Sequence, residues 1–232
     1  MSVPPVFELA RAHWPAVEDG PRQLLVVPTG SLEQHGPHLP LDTDTTIAVA
    51  VARRACAGRA GVALAPAFGI GASGEHADFP GTLSIGTEAL TACLVELGRH
   101  ARRDWAALLL VNGHGGNAAA IGAAIGRLRQ EGQTAHAWHA GLPGGDAHAG
   151  RFETSVMLAL DPGAVRLAAA QAGERQPVSQ IMPALRERGV RAVSGNGVLG
   201  DPSGASAAEG EVLLARLTHG LNEMVDRVLA EP

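Results

Sequence analysis

Tyrosine is absent from the 232 residues, and there are only four phenylalanines and three tryptophans. Few planar side chains are therefore available for stacking nucleic-acid bases. The formal net charge is −5 and consecutive Arg residues come in pairs at most, so the cationic footprint of a nucleic-acid binder is missing too. Cysteine is scarce: Cys56 and Cys93 both fall in segments of helical pattern, where they read as small buried apolar residues rather than as a disulfide or redox pair. Long apolar runs are lacking. Ala106 to Val111 is only strand length, far below the roughly 20 residues that cross a bilayer. The opening MSVPPVFELARAH places prolines and Glu8 where a signal peptide needs an uninterrupted apolar core. These absences predict a soluble, cytoplasmic protein with neither nucleic acid nor membrane as a partner.

Familiar catalytic signatures are also missing. There is no G-x-S-x-G elbow, no H-E-x-x-H pair and no G-x-G-x-x-G after the first predicted strand, and neither cysteine lies near a histidine-rich loop.

What is present is an alternation. Leu24 to Pro28, Val62 to Phe68, Ala107 to Val111 and Thr134 to Ala140 are short apolar runs of strand type. Each leads through a polar, glycine-rich loop to a helical pattern, beginning near Thr45, at Thr87, at Ala118 after Asn117 as N-cap, and around Val156, Met157 and Leu160. Four such units predict an α/β fold, a three-layer sandwich with a mainly parallel sheet flanked by helices, with ligands beyond the carboxyl ends of the strands. From Asp161 the pattern predicts loops and short helices. A final helix follows a Ser206-x-x-Glu209 capping box, with Leu213, Leu217, Leu221, Met224 and Val228 on one face. The length suits one domain over residues 1–232.

The loops carry the chemistry. The first holds Glu33, His35, His38, Asp42 and Asp44, with a Gly36-Pro37 turn that lets Glu33 and His35 converge. Asp44 could bridge two ions with its two oxygens, or Asp42 or Asp44 could merely cap the following helix. The third loop, Asn112 to Asn117, sets His114 among glycines directly after a strand, a better place for a metal ligand than for a phosphate cradle. The fourth adds His148, suited to proton transfer, and Glu153, a further candidate ligand. Glu33, Asp44 and Glu153 would set three negative charges against the four of two divalent ions, a centre able to activate water. Mixed oxygen and nitrogen ligands without thiolate suit zinc, manganese or ferrous iron.

GSLEQHGPHLPLDTDT, NGHGGN and HAGRFETS, in that order, resemble the motifs of the creatininase family of metal-dependent amidohydrolases. More narrowly, GASGEHADFPGTLSIGTEAL, PGGDAHAGRFETSVML and SGNGVLGDPSGASAAEG are similar to the branch of that family found in mycofactocin biosynthesis, peptidases of a modified precursor peptide. The resemblance implies Glu33, His35, Asp44 and His114 as ligands of two divalent metals, Zn2+ and Fe2+ or Mn2+, with Asp44 as the bridge. It also implies a homo-oligomer of dimers, a hexamer or octamer. Creatininase itself has a glutamate two residues after its motif histidine, where this chain has Gly116. Glu153, paired with His148, is the acid best placed to replace it, and creatinine becomes a doubtful substrate. The implied reaction is hydrolysis near the C-terminus of the precursor, releasing its modified Val-Tyr-derived dipeptide, with His148 and Glu153 catalytic. Glu75, His76, Gly115, Gly116 and Asn117 are expected at the substrate, Glu75 and His76 alternatively as polar loop stabilisers. The alternatives are a family amidohydrolase acting on a cyclic amide or formamide, and a metal-stabilised binding protein without turnover.

Overall fold

The computed structural model describes residues 5–142 and 144–231. Met1 to Pro4, part of the segment read above for a signal peptide, lie outside the described residues, as do Pro143 and Pro232.

Five parallel strands form one sheet: β1 (Phe7–Glu8), β2 (Leu24–Thr29), β3 (Val62–Leu64), β4 (Ala107–Asn112) and β5 (Thr134–His139), in the spatial order β1-β3-β2-β4-β5. β2 and β4 are buried at every residue, as their continuous apolar sequences require of strands covered on both faces. β3 is shorter than its apolar run. Pro66 has no N–H to continue a ladder, so the strand stops at Leu64 and Phe68 rejoins β2 only through a single bridge to Thr29. β1, two residues long, is too short to carry a periodic signal and was not expected from the sequence.

Alternation along the strands divides the core. Leu24, Val26, Leu109 and Val111 face one layer, with α2 (Thr43–Cys56), α5 (Arg151–Leu160) and α7 (Ala207–Ala230) packed over them. Leu25, Val27, Leu108 and Leu110 face the other, under α3 (Gly86–Ala101) and α4 (Ala118–Gln130). The three-layer α/β sandwich expected from the sequence is therefore present. Burying each of these leucines contributes about 1.5–3 kcal/mol. The short helix α1 (Trp14–Glu18) sits between β1 and β2 in the chain.

Local expectations fared unevenly. Ser206 does cap α7, accepting from the N–H of Glu209 at 3.2 Å, but the Glu209 carboxylate turns to Arg151 and Ser155, so the box is only half formed. Asn117 does not cap α4 with its side chain. Nor does Asp42 cap α2. Cys56 is buried, but Cys93 is exposed on α3, against expectation. The region after Asp161 contains a longer helix than expected, α6 (Val178–Val193), bent where Gly189 adopts φ of 75°. Pro183 and that glycine mask its periodicity in the sequence.

Candidate metal centre

Because the sheet is parallel, the loops after β2, β3, β4 and β5 all emerge at one edge, and tight glycines draw them together. Gly113 approaches the first turn of α2 so closely that a Cβ there would lie 2.3 Å from the carbonyl oxygen of Asp44. Asp44 itself stands in that first turn, where the helix dipole favours a carboxylate.

The side chains meet around Glu33, which is fully buried. His76 Nε2 lies 3.2 Å from Glu33 Oε1, and His114 Nε2 lies 3.2 Å from Oε2. His148 Nδ1 is 3.7 Å from Oε1. Asp44 spans two rings: Oδ1 is 3.1 Å from His35 Nε2 and Oδ2 is 3.2 Å from His114 Nδ1. Ser31 Oγ donates to Asp44 Oδ2 at 2.6 Å and fixes its rotation. Glu153 approaches from the first turn of α5, its Oε2 accepting from the N–H of Ala149 at 2.6 Å and standing 3.9 Å from His35 Nε2. Among the described residues, three sets of donor atoms close enough to share an ion result: Glu33, His35 and Asp44; His35, His148 and Glu153; and Glu33, His76 and His148.

The donors fit a divalent cation on one observation in particular. Both oxygens of Glu33 are buried without a correctly directed hydrogen bond, despite the ring nitrogens at 3.2 Å. A buried, unsatisfied carboxylate is costly, and a cation among these lone pairs would satisfy it.

Electrostatics separates the histidines into two kinds. Burial is the largest influence on Glu33 and acts to raise its pKa, yet His114 and His76 outweigh it and hold the carboxyl at about 2. Burial likewise opposes the ionised form of Asp44, which His35 and His114 nevertheless keep well below the usual carboxylate range. Against burial, Asp44, Glu153 and Glu33 lift His35 to about 10, and Glu33 with Asp44 lifts His114 well above its ordinary value. Burial prevails elsewhere: it raises Glu153 to about 7, lowers His76 to about 4 and depresses His148 strongly. The field that holds protons on His35 and His114 would hold a metal cation, with release of those protons.

All the loop residues expected to hold metal are thus brought together. Others differ from expectation. His38 pairs with Thr154 Oγ1 at 2.9 Å, and Asp42 is exposed, so neither joins the cluster. Asn117, expected at the substrate, is enclosed: its amide accepts from Ala72 N at 2.8 Å and donates to Gly30 O at 2.8 Å and Asn112 Oδ1 at 3.2 Å, tying the loops together. His76, expected to line the pocket, lies beneath it against Glu33. Glu75 remains partly open to solvent, 3.5 Å from His114 Nε2; Gly115, next to His114 in the chain, is exposed and Gly116 is half-buried. Sequence reasoning missed Ser31, Gln34 and Gly197. The segment from Ser194 to Gly200 reaches the site through an antiparallel bridge between Leu199 and His148, a long-range pairing with no local signature.

Comparison with known proteins gives the chain a family. The creatininase family model, described as creatinine amidohydrolase, matches residues 10–225. A mycofactocin precursor peptide peptidase from Mycobacterium tuberculosis is 50% identical over 90% of this chain and 86% of its own length. One from Mycolicibacterium smegmatis is 49% identical, covering 88% of this chain and 85% of that protein. Among solved structures, a creatininase variant in a zinc–zinc form superposes with a TM-score of 0.80 at 25% identity, over 98% of this chain and 100% of that one. Family match, identity and fold coincide on one conclusion: the chain belongs to the creatininase family.

Proposed function

We propose that this chain is a divalent-metal peptidase that hydrolyses a peptide bond near the C-terminus of the modified mycofactocin precursor peptide and releases the modified Val-Tyr-derived dipeptide. The reading is carried by the buried, unpaired Glu33 carboxylate amid four histidines, taken with relatives of half-identical sequence that are named for that activity. Glu33, His35, Asp44, His114 and Glu153 would hold two divalent ions in this proposal. Zinc with ferrous iron is the proposed pair and manganese an allowed replacement. Divalent ions bound there supply an activated water and polarise the scissile carbonyl.

The chain's own residues do the rest. His148, neutral and buried, takes up the proton released by the attacking water and passes it to the leaving amine. Glu75 and the backbone of Gly115 and Gly116 face the peptide at the open side. The assembly is a homo-oligomer of dimers, hexamer or octamer, in the cytoplasm.

The test is hydrolysis of the modified precursor by metal-reconstituted protein, followed by mass spectrometry. A C-terminal dipeptide fragment that vanishes in Glu33→Ala and His114→Ala supports the reading; intact peptide after incubation with fully loaded protein overturns it. A second reading, an amidohydrolase of a small cyclic amide or formamide, draws on the 33% identity to a creatinine amidohydrolase from Pseudomonas putida. A substrate screen with the same preparation separates the two.

A further inference from the structure

Gln34 sits between two candidate ligands, Glu33 and His35, and its side chain is buried. The orientation of its amide is determined. Oε1 accepts from the N–H of Gly36 at 2.8 Å, and Nε2 donates to the carbonyl of Gly197 at 3.0 Å. Turned over, the amide would set nitrogen against N–H and oxygen against a carbonyl.

An amide nitrogen has two hydrogens. One is committed to Gly197, which leaves one for two nearby rings: His76 Nδ1 at 2.9 Å and His148 Nε2 at 3.0 Å. His148 Nε2 also lies 2.8 Å from the main-chain oxygen of Gln34, which can only accept. That ring nitrogen therefore carries a hydrogen and cannot receive another. The remaining amide hydrogen goes to His76 Nδ1. It follows that His76 bears its proton on Nε2, facing Glu33 Oε1 at 3.2 Å, while His148 turns an unprotonated Nδ1 toward the same oxygen at 3.7 Å.

We infer that Gln34 is a positioning residue that sets the tautomers of two buried histidines, with its side-chain amide for His76 and its main-chain carbonyl for His148. One ring thereby turns its N–H toward Glu33, and the other keeps a lone pair available to the reaction. Gly197 is part of the device: with φ of 82° and no side chain it lets the amide close in, whereas a Cβ there would lie 1.9 Å from Gln34 Oε1. The assignment stands on hydrogen bonding alone; only its consequence for His148 as proton carrier rests on the proposed hydrolase reading.

The experiment is two-bond nitrogen–proton correlation on the zinc-loaded full chain labelled with 15N-histidine, the two signals being identified by their loss in His76→Gln and His148→Gln. Both rings are expected to carry a single proton on Nε2 at neutral pH. In Gln34→Glu, whose carboxylate can only accept, the His76 proton is expected to move to Nδ1 while His148, still facing the main-chain carbonyl, keeps its pattern. A wild-type spectrum with the proton of either ring on Nδ1 overturns the assignment without any variant. An unaltered His76 in Gln34→Glu, with Gln34→Met equally silent, overturns the role of the side chain. No turnover is measured, so failure of the hydrolase reading leaves this result decidable.

Discussion

Gly116 is what allows Glu75 and His114 to face each other. Glu75 Oε1 and His114 Nε2 stand 3.5 Å apart, and a Cβ at position 116 would lie 2.5 Å from the first and 2.4 Å from the second. A side chain at position 116 thus has no room here. The space is taken up by the carboxylate of Glu75, from the loop after β3.

Gly116→Ala is therefore expected to displace His114 and weaken metal binding by about 10- to 100-fold, the range seen when a ligand loses its support. Competition with a chelator, followed by elemental analysis, reads this directly. Glu75→Gln should retain metal and lose turnover. Equal metal affinity in Gly116→Ala and the parent would show that His114 is not held where the structure has it.

Ser31→Ala removes the hydroxyl that donates to Asp44 Oδ2 at 2.6 Å. With its rotation no longer fixed, Asp44 should hold its ions less firmly, again by about 10-fold or more. Titration with a fluorescent zinc competitor measures it. The fold should survive, since Ser31 stands on a loop after β2, and circular dichroism provides that control.

The pH dependence of the chelator-stripped protein has a definite sign. His35 is lifted from 6.5 to about 10, so folding binds its proton more tightly than the unfolded chain does. The stabilisation is complete below 6.5 and is lost as pH rises toward 10. His114, raised in the same direction, adds to it. Thermal midpoints measured from neutral to alkaline pH should fall for the stripped protein and be much flatter for the zinc-loaded one, whose cation replaces the protons. A midpoint that climbs over this range without metal would contradict the assignment.

Leu109→Ala tests the sheet rather than the site. Leu109 is wholly buried at the middle of β4, between Val26 and His136 in register. A loss of about 2–5 kcal/mol is expected in denaturant unfolding, through lost transfer energy and the cavity left behind.

The layers were legible in the sequence because Leu24 to Pro28 and Ala107 to Val111 are apolar throughout, as a strand covered on both faces requires. The ligands were legible because Glu33, His35 and Asp44 crowd one loop and His114 stands alone among glycines. What could not be read was mostly long-range. Gln34 looks like a spacer in the motif, and only the arrival of Gly197 and two histidine rings from distant loops gives its amide a purpose. Asn117 resembled a helix cap by position, yet tertiary hydrogen bonds to Ala72 and Gly30 outcompete the local one. α6 was hidden because Pro183 and Gly189 interrupt its pattern, although it supports the second loop, Arg191 donating to Asp78 O at 2.7 Å.

The spread of the cluster along the chain has a consequence for how the molecule is assembled. Glu33, His35 and Asp44 are neighbours and could capture an ion weakly in a partly folded chain, but His114 and Glu153 arrive only after β4 has docked on β2 and β5 on β4. Distant parallel pairings are slow to form because loop closure precedes any reward. Tight binding therefore selects the finished sheet, and the ion acts as a latch on a completed fold rather than as a seed for it.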